Sequence, residues 1–148
     1  MSNEMKLEFD AVSTNEAFAR VSVAAFITAL DPTLEEIADV KTAVSEAVTN
    51  AIIHGYDGME NGKVFICCLI EKDVLHIEIK DKGKGIENIE RAMEPLFTTK
   101  PELDRSGMGF AFMEAFMDDL EVNSQIEKGT IVRMKKKIGC TPWIEDEE

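Results

Sequence analysis

Two β-rich runs, Lys63–Glu71 and Val74–Asp81, are separated only by Lys72 and Asp73, and this spacing constrains the chain more than any other feature in it. A polar two-residue link between such runs predicts an antiparallel hairpin. Upstream, Met5, Leu7, Phe9 and Ala11 alternate with polar neighbours and predict a half-buried strand. Ser13 with Glu16 makes a capping-box pattern ahead of Phe18, Val21 and Ala25, so a helix is expected to end near Leu30, where Asp31 and Pro32 break the period. Thr33 with Glu36 repeats the signature. The second helix is predicted to run to about His54, burying Ile37, Val44, Ala47, Val48 and Ala51, with Gly55 closing it. Residues 82–106 hold several turn formers and read as a long mobile segment with a short helix at 89–93. Helical spacing returns over 109–117, and a closing hairpin (120–124, 130–136) turns at Lys128 and Gly129.

The 148 residues, 45% hydrophobic and 30% charged, fit one folded domain over residues 1–138 followed by an acidic tail, 139–148, expected to be disordered. The longest apolar stretch, 65–70, is far short of the ~18 to 20 residues that span a bilayer. The start lacks the basic and apolar regions of a signal peptide, so a cytoplasmic location and no membrane partner are expected. Cys67 and Cys68 are adjacent and point to opposite faces of a strand, which leaves Cys140 without a mate; neither disulfides nor a cysteine metal site is expected. A formal charge of −13 repels nucleic acid and favours basic protein surfaces.

On the second helix Glu46, Asn50 and His54 fall at i, i+4 and i+8, which puts a carboxylate, an amide and an imidazole on one face. A solvated stripe ending in a histidine would look the same. Asp81-Lys82-Gly83-Lys84-Gly85 follows a strand, presenting a carboxylate at the strand end while two glycines allow close backbone approach to a ligand; an ordinary turn would share the pattern. Ser106-Gly107-Met108-Gly109 directly precedes a helix whose free N–H groups and dipole could hold phosphate oxygens; a flexible loop ending at an N-cap would share the pattern. Neither glycine segment matches a P-loop or a Rossmann fingerprint. With only His54 and His76 present, and no G-x-S-x-G, zinc sites and Ser-His-Asp hydrolases are set aside.

In chain order these motifs are Glu46-x-x-x-Asn50-x-x-x-His54-Gly55, Asp81-x-Gly83-x-Gly85, Glu94-Pro-Leu-Phe97-Thr98-Thr99-Lys100, Gly107-x-Gly109 and Gly129-Thr130. The set resembles the ATPase and kinase superfamily of DNA gyrase, the ninety-kilodalton heat-shock chaperone, the mismatch-repair clamp proteins and the sensor histidine kinases. Within it, the single-domain length and the lid sequence from Arg105 to Phe110 look most like the anti-sigma factors with serine kinase activity, those of sporulation above all. Many histidine kinases place a glycine where this lid has Ser106.

The resemblance implies an α/β two-layer sandwich, a mixed, mostly antiparallel sheet with helices on one face, the Bergerat-type ATP-binding fold. It implies ATP and Mg2+ as ligands, with Asn50 on the magnesium ion and Glu46 orienting or deprotonating the attacking hydroxyl. Asp81 would accept from the adenine amino group, Gly83 and Gly85 would line the base pocket, and Thr130 would support the base. His54 ends the helix motif beside the nucleotide. Thr98, Thr99, Lys100, Arg105, Ser106, Gly107, Met108 and Gly109 would surround the phosphates, with Lys100 and Arg105 as alternative partners for the γ-phosphate.

No histidine precedes Glu35, so a sensor histidine kinase is not expected; a gyrase-like clamp is not expected either, since the chain ends about ten residues after its last strand. Two readings stay open. One is a serine/threonine kinase and anti-sigma factor, a homodimer by resemblance, that sequesters a sigma factor and phosphorylates an anti-anti-sigma partner. The other is a binding module that sequesters a transcription factor and uses ATP only as a conformational ligand.

Overall fold

A computed structural model describes residues 2–94 and 109–139. The chain opens with strand β1 (Ser2–Asp10) and helix α1 (Asn15–Phe26), continued by a 3-10 turn, Ile27–Leu30. The cap expected from Ser13 and Glu16 does not form. The helix begins after Thr14 with no side-chain cap, because Glu16 is engaged elsewhere: its carboxylate accepts from Arg20 one turn on and from Ser45 Oγ (2.8 Å) on the next helix. Helix α2 (Leu34–Asn50) does carry the expected capping box, with Glu36 N donating to Thr33 Oγ1 at 3.0 Å and Thr33 N to Glu36 Oε1 at 2.9 Å.

The α-helix was expected to continue to His54, but it gives way at Ala51 to a π-helical turn, Ala51–Gly55, in which Tyr56 N donates to Ala51 O at 3.0 Å. Strands β2 (Lys63–Glu71) and β3 (Val74–Asp81) then form the expected hairpin, with Lys72 at φ 57 in its link. Helix α3 (Ile89–Ala92) is short, with Asn88 Oδ1 accepting from Arg91 N at 3.0 Å. Helix α4 (Gly109–Phe116) and the hairpin of β4 (Asp119–Gln125) and β5 (Gly129–Lys137) complete the described chain.

The sheet has the order β1-β2-β3-β5-β4, and every neighbouring pair is antiparallel. The mixed sheet implied above is therefore corrected to an antiparallel one over the described strands. The reason is topological: β3 and β4 run in the same direction, but β5 lies between them. Inward side chains such as Ile66, Ile79 and Val132 share one row of the register and pack beneath Val40, Val44 and Val48 of α2, with Ala19 and Val23 of α1 and Met113 of α4 alongside. The opposite face alternates outward, as where Arg133 Nε donates to Glu78 at 3.0 Å. Cys67 and Cys68 are free thiols on these two faces, and burial pushes the Cys68 thiol up to about 12. Among the described residues no helix is long and apolar enough to cross a membrane.

Candidate functional site

The inward row at the end of the sheet reads Phe9, Val64, Asp81, Thr130 and Ser124. Asp81 (6% exposed) and Thr130 (7%) are the buried polar side chains among the described residues, so this end of the core differs in kind from the rest. The Asp81 carboxylate accepts from Gly83 N at 2.9 Å. Burial pushes its pKa up to about 6, while backbone hydrogen bonds from Gly83 and Thr130 pull in the other direction.

The backbone is pressed against this carboxylate from two sides. A Cβ on Gly55 would stand 2.9 Å from the carboxylate atoms, and one on Gly83 would stand 2.0 Å from Gly55 O. The π-helical turn is what brings Gly55 here. Lys84 N then donates to Gly55 O at 2.8 Å, joining the turn to the loop after β3. Tyr56 adds a second clamp, its hydroxyl accepting from Lys82 N at 2.8 Å and donating to Lys63 O. Gly129, at φ 114, lets the β4–β5 turn lie over Asp81 O, which a Cβ there would approach to 2.1 Å.

Beside this cluster a cavity of about 570 Å³ opens between α2, the end of β3, the start of α4 and the β4–β5 hairpin, within the size range of small-molecule sites. Ala51, Ile79, Ile86 and Val132 give it apolar walls. Asp81 and Thr130 lie on its wall, as do Asn50, His54 and Gly109. Asn50 and Gly109 touch closely: a Cβ on Gly109 would fall 2.9 Å from Asn50 Nδ2, so the first residue of α4 rests on the amide.

Of the residues singled out from sequence, Asn50, His54, Asp81, Gly85, Gly109 and Thr130 line this one cavity. Gly83 does not; it packs behind Asp81 against Gly55. Glu46 lines a separate, shallower depression with Arg20, Lys41 and Ser45. Thr98, Thr99, Lys100, Arg105, Ser106, Gly107 and Met108 lie outside the described residues. Sequence reasoning took Gly55 only as a helix stop and missed Ser124, whose signal was a polar side chain at an inward position after Leu120 and Val122. It also missed Asn88 and Arg91, which reach the cavity from around α3 and carry no distinguishing pattern.

Residues 9–136 match the family model described as a histidine kinase-like ATPase domain. An anti-sigma F factor of Geobacillus sp. (strain WCH70) is 62% identical over 138 residues, covering 93% of this chain and 94% of that protein. An anti-sigma F factor of Clostridium perfringens (strain 13 / Type A) is also 62% identical over 138 residues, covering 93% and 99%. Among solved structures, the fold is shared with the RsbU and RsbW domains of a Mycobacterium tuberculosis protein, at TM-score 0.67 and 18% identity over 92% of this chain and 32% of that one. It is shared too with the catalytic domain of histidine kinase ThkA, at TM-score 0.57 and 17% identity over 90% and 96%.

Proposed function

The chain belongs to the histidine kinase-like ATPase domain family, among its anti-sigma F factors, and from that premise we propose that it is a Mg-ATP-dependent serine/threonine kinase. Its partners on this reading are a sigma factor, which it sequesters, and an anti-anti-sigma protein, which it phosphorylates. The observation that carries the proposal is one cavity walled by a buried carboxylate at Asp81 and by the side-chain amide of Asn50, at the end of α2 and against Gly109 of α4. The first suits the amino edge of a base. The second suits phosphates, because Asn50 offers an amide oxygen to a phosphate-bound cation on the cavity wall, against Gly109 of α4.

Asp81 accepts from the base amino group, and the Gly55 and Gly83 backbones hold the carboxylate still and exclude water from behind it. Ile79, Ile86 and Val132 sandwich the apolar ring faces. Among the described residues no group of three or more acidic, histidine or cysteine side chains could hold a metal by itself. The donor chemistry that remains, one amide oxygen from Asn50, fits Mg2+, which takes few protein ligands and completes its shell with phosphate oxygens and water. When bound there, magnesium supplies charge neutralisation between the phosphates. Glu46, one turn before Asn50, orients the incoming hydroxyl or takes its proton.

The second reading, a binding module without catalysis, draws on one observation: Glu46 lines the depression beside Arg20 and Lys41, not the large cavity. Incubating the purified protein with γ-labelled ATP and candidate partners, then mapping the labelled residue, separates the two. Transfer to a serine or threonine supports the kinase. Saturable ATP binding that tightens partner binding without transfer supports the module, and a protein that binds no ATP overturns both.

A further inference from the structure

Ser124 stands behind the cavity wall, opposite Thr130 in the β4–β5 register. Three groups surround its hydroxyl. Ile86 N donates to Ser124 Oγ at 2.8 Å, Gly129 O lies 3.2 Å away, and Thr130 Oγ1 lies 2.8 Å away. A serine hydroxyl has one proton and two acceptor sites, and a backbone carbonyl can only accept. The Ile86 N–H occupies one acceptor site and Gly129 O can be met only by the Ser124 proton. The short contact with Thr130 must then be made by the Thr130 proton entering the second acceptor site. This arrangement uses all of the hydrogen-bonding capacity of Ser124. The reverse polarity leaves Gly129 O without the serine proton, and leaves the Thr130 proton with no partner among the described residues.

The consequence falls on the cavity side. With its proton turned toward Ser124, Thr130 presents only lone pairs beside the Asp81 carboxylate, which is also an acceptor. We propose that Ser124 is a positioning residue for base selection: by accepting the Thr130 proton it makes Thr130 a second acceptor beside Asp81, so the site takes a 6-aminopurine and rejects a 6-oxopurine. An exocyclic amino group has two protons to give. A ring carbonyl has none, and its oxygen would face two acceptors. The inference rests on the ATP reading of the cavity given above.

The test is the ratio of dissociation constants for ATP and inosine triphosphate, measured by calorimetry at pH 8 so that Asp81 is ionised. In Ser124→Ala the freed Thr130 proton can turn into the cavity and donate to the carbonyl, so the preference for ATP should fall by about tenfold or more. Ser124→Thr keeps the acceptor and should keep the preference. In a Thr130→Val background, Ser124→Ala should leave the ratio where Thr130→Val alone puts it. Should the alanine variant not fold, Ser124→Cys, whose thiol is a weak acceptor, should show the same fall. A ratio unchanged in these variants, with both nucleotides weakened equally, overturns the assignment and leaves Ser124 a structural strut. A wild-type protein that binds neither nucleotide overturns the ATP reading itself, which is a distinguishable failure.

Discussion

Replacing Asp81 by asparagine should make the nucleotide-free protein more stable at pH 8 while weakening its hold on ATP. The carboxyl group titrates at 3.8 in the unfolded chain and is raised to about 6 by burial in the fold. Between those values the folded protein keeps a proton that the unfolded chain has released. Stability therefore falls as pH rises through this window, and the whole loss is present above about pH 6. At 1.36 kcal/mol per pKa unit, the buried charge costs about 3 kcal/mol at pH 8. Asparagine is neutral and avoids that cost. It can still accept from Gly83 N, though an uncharged acceptor gives back about 1 kcal/mol. A net gain of about 1 to 2 kcal/mol would raise Tm by several degrees, at roughly 2 to 4 °C per kcal/mol. Below about pH 3 the aspartate is neutral in both states and the gain should vanish. ATP affinity should drop about 10- to 150-fold, the worth of a charged hydrogen bond. Thermal melts of both proteins from about pH 3 to 8, with calorimetry at pH 8, read both effects. A Tm difference that does not change with pH would refute the burial argument, and equal ATP affinity would remove Asp81 from the base site.

Glu46→Ala should lose about 10²- to 10⁴-fold in single-turnover phosphoryl transfer to the partner, with ATP affinity changed less than about tenfold; near wild-type transfer would favour the binding module. Gly83→Ala should cost at least about tenfold in ATP affinity, because its Cβ would stand 2.0 Å from Gly55 O and must push the π-helical turn off Asp81; unaltered binding in calorimetry would mean the turn is not under constraint. Thr33→Ala should lower stability by about 1 kcal/mol through loss of the α2 cap, leaving ATP affinity unchanged; a thermal melt and the same titration check both halves.

What could be read from the sequence was what short-range chemistry decides. The β2–β3 hairpin followed from two runs and a two-residue link, and the Thr33–Glu36 cap from groups three residues apart. The Ser13–Glu16 cap carried the same local signature and did not form, because Ser45, 29 residues from Glu16, and Arg20 took the carboxylate. The π-helical turn was not legible for a similar reason. Gly55 announces a helix end, but nothing nearby in sequence says that the last turn must widen to lay its backbone on Asp81. Asp81 itself was visible as a carboxylate at a strand end; its burial depends on Thr130 and Gly129 arriving from the far end of the chain. Glu46 and Asn50 were assigned one face by helical spacing, yet they line different depressions, since α1 packs beside the first and α4 beside the second.

The insertion of β5 between β3 and β4 also fixes an order of assembly. Asp81 and Thr130 are cross-strand neighbours although about fifty residues separate them, so bringing them together closes a long loop. The β2–β3 hairpin can form from local contacts, but its outer edge stays open until the last strand docks. A chain emerging from the ribosome therefore has its acidic pocket half built, with the carboxylate still in water and free to ionise without penalty, until β5 is released and seats beside β3. Nucleotide recognition is then a property of a chain that includes β5, and fragments truncated before Gly129 should expose an unpaired strand edge and bind no ATP.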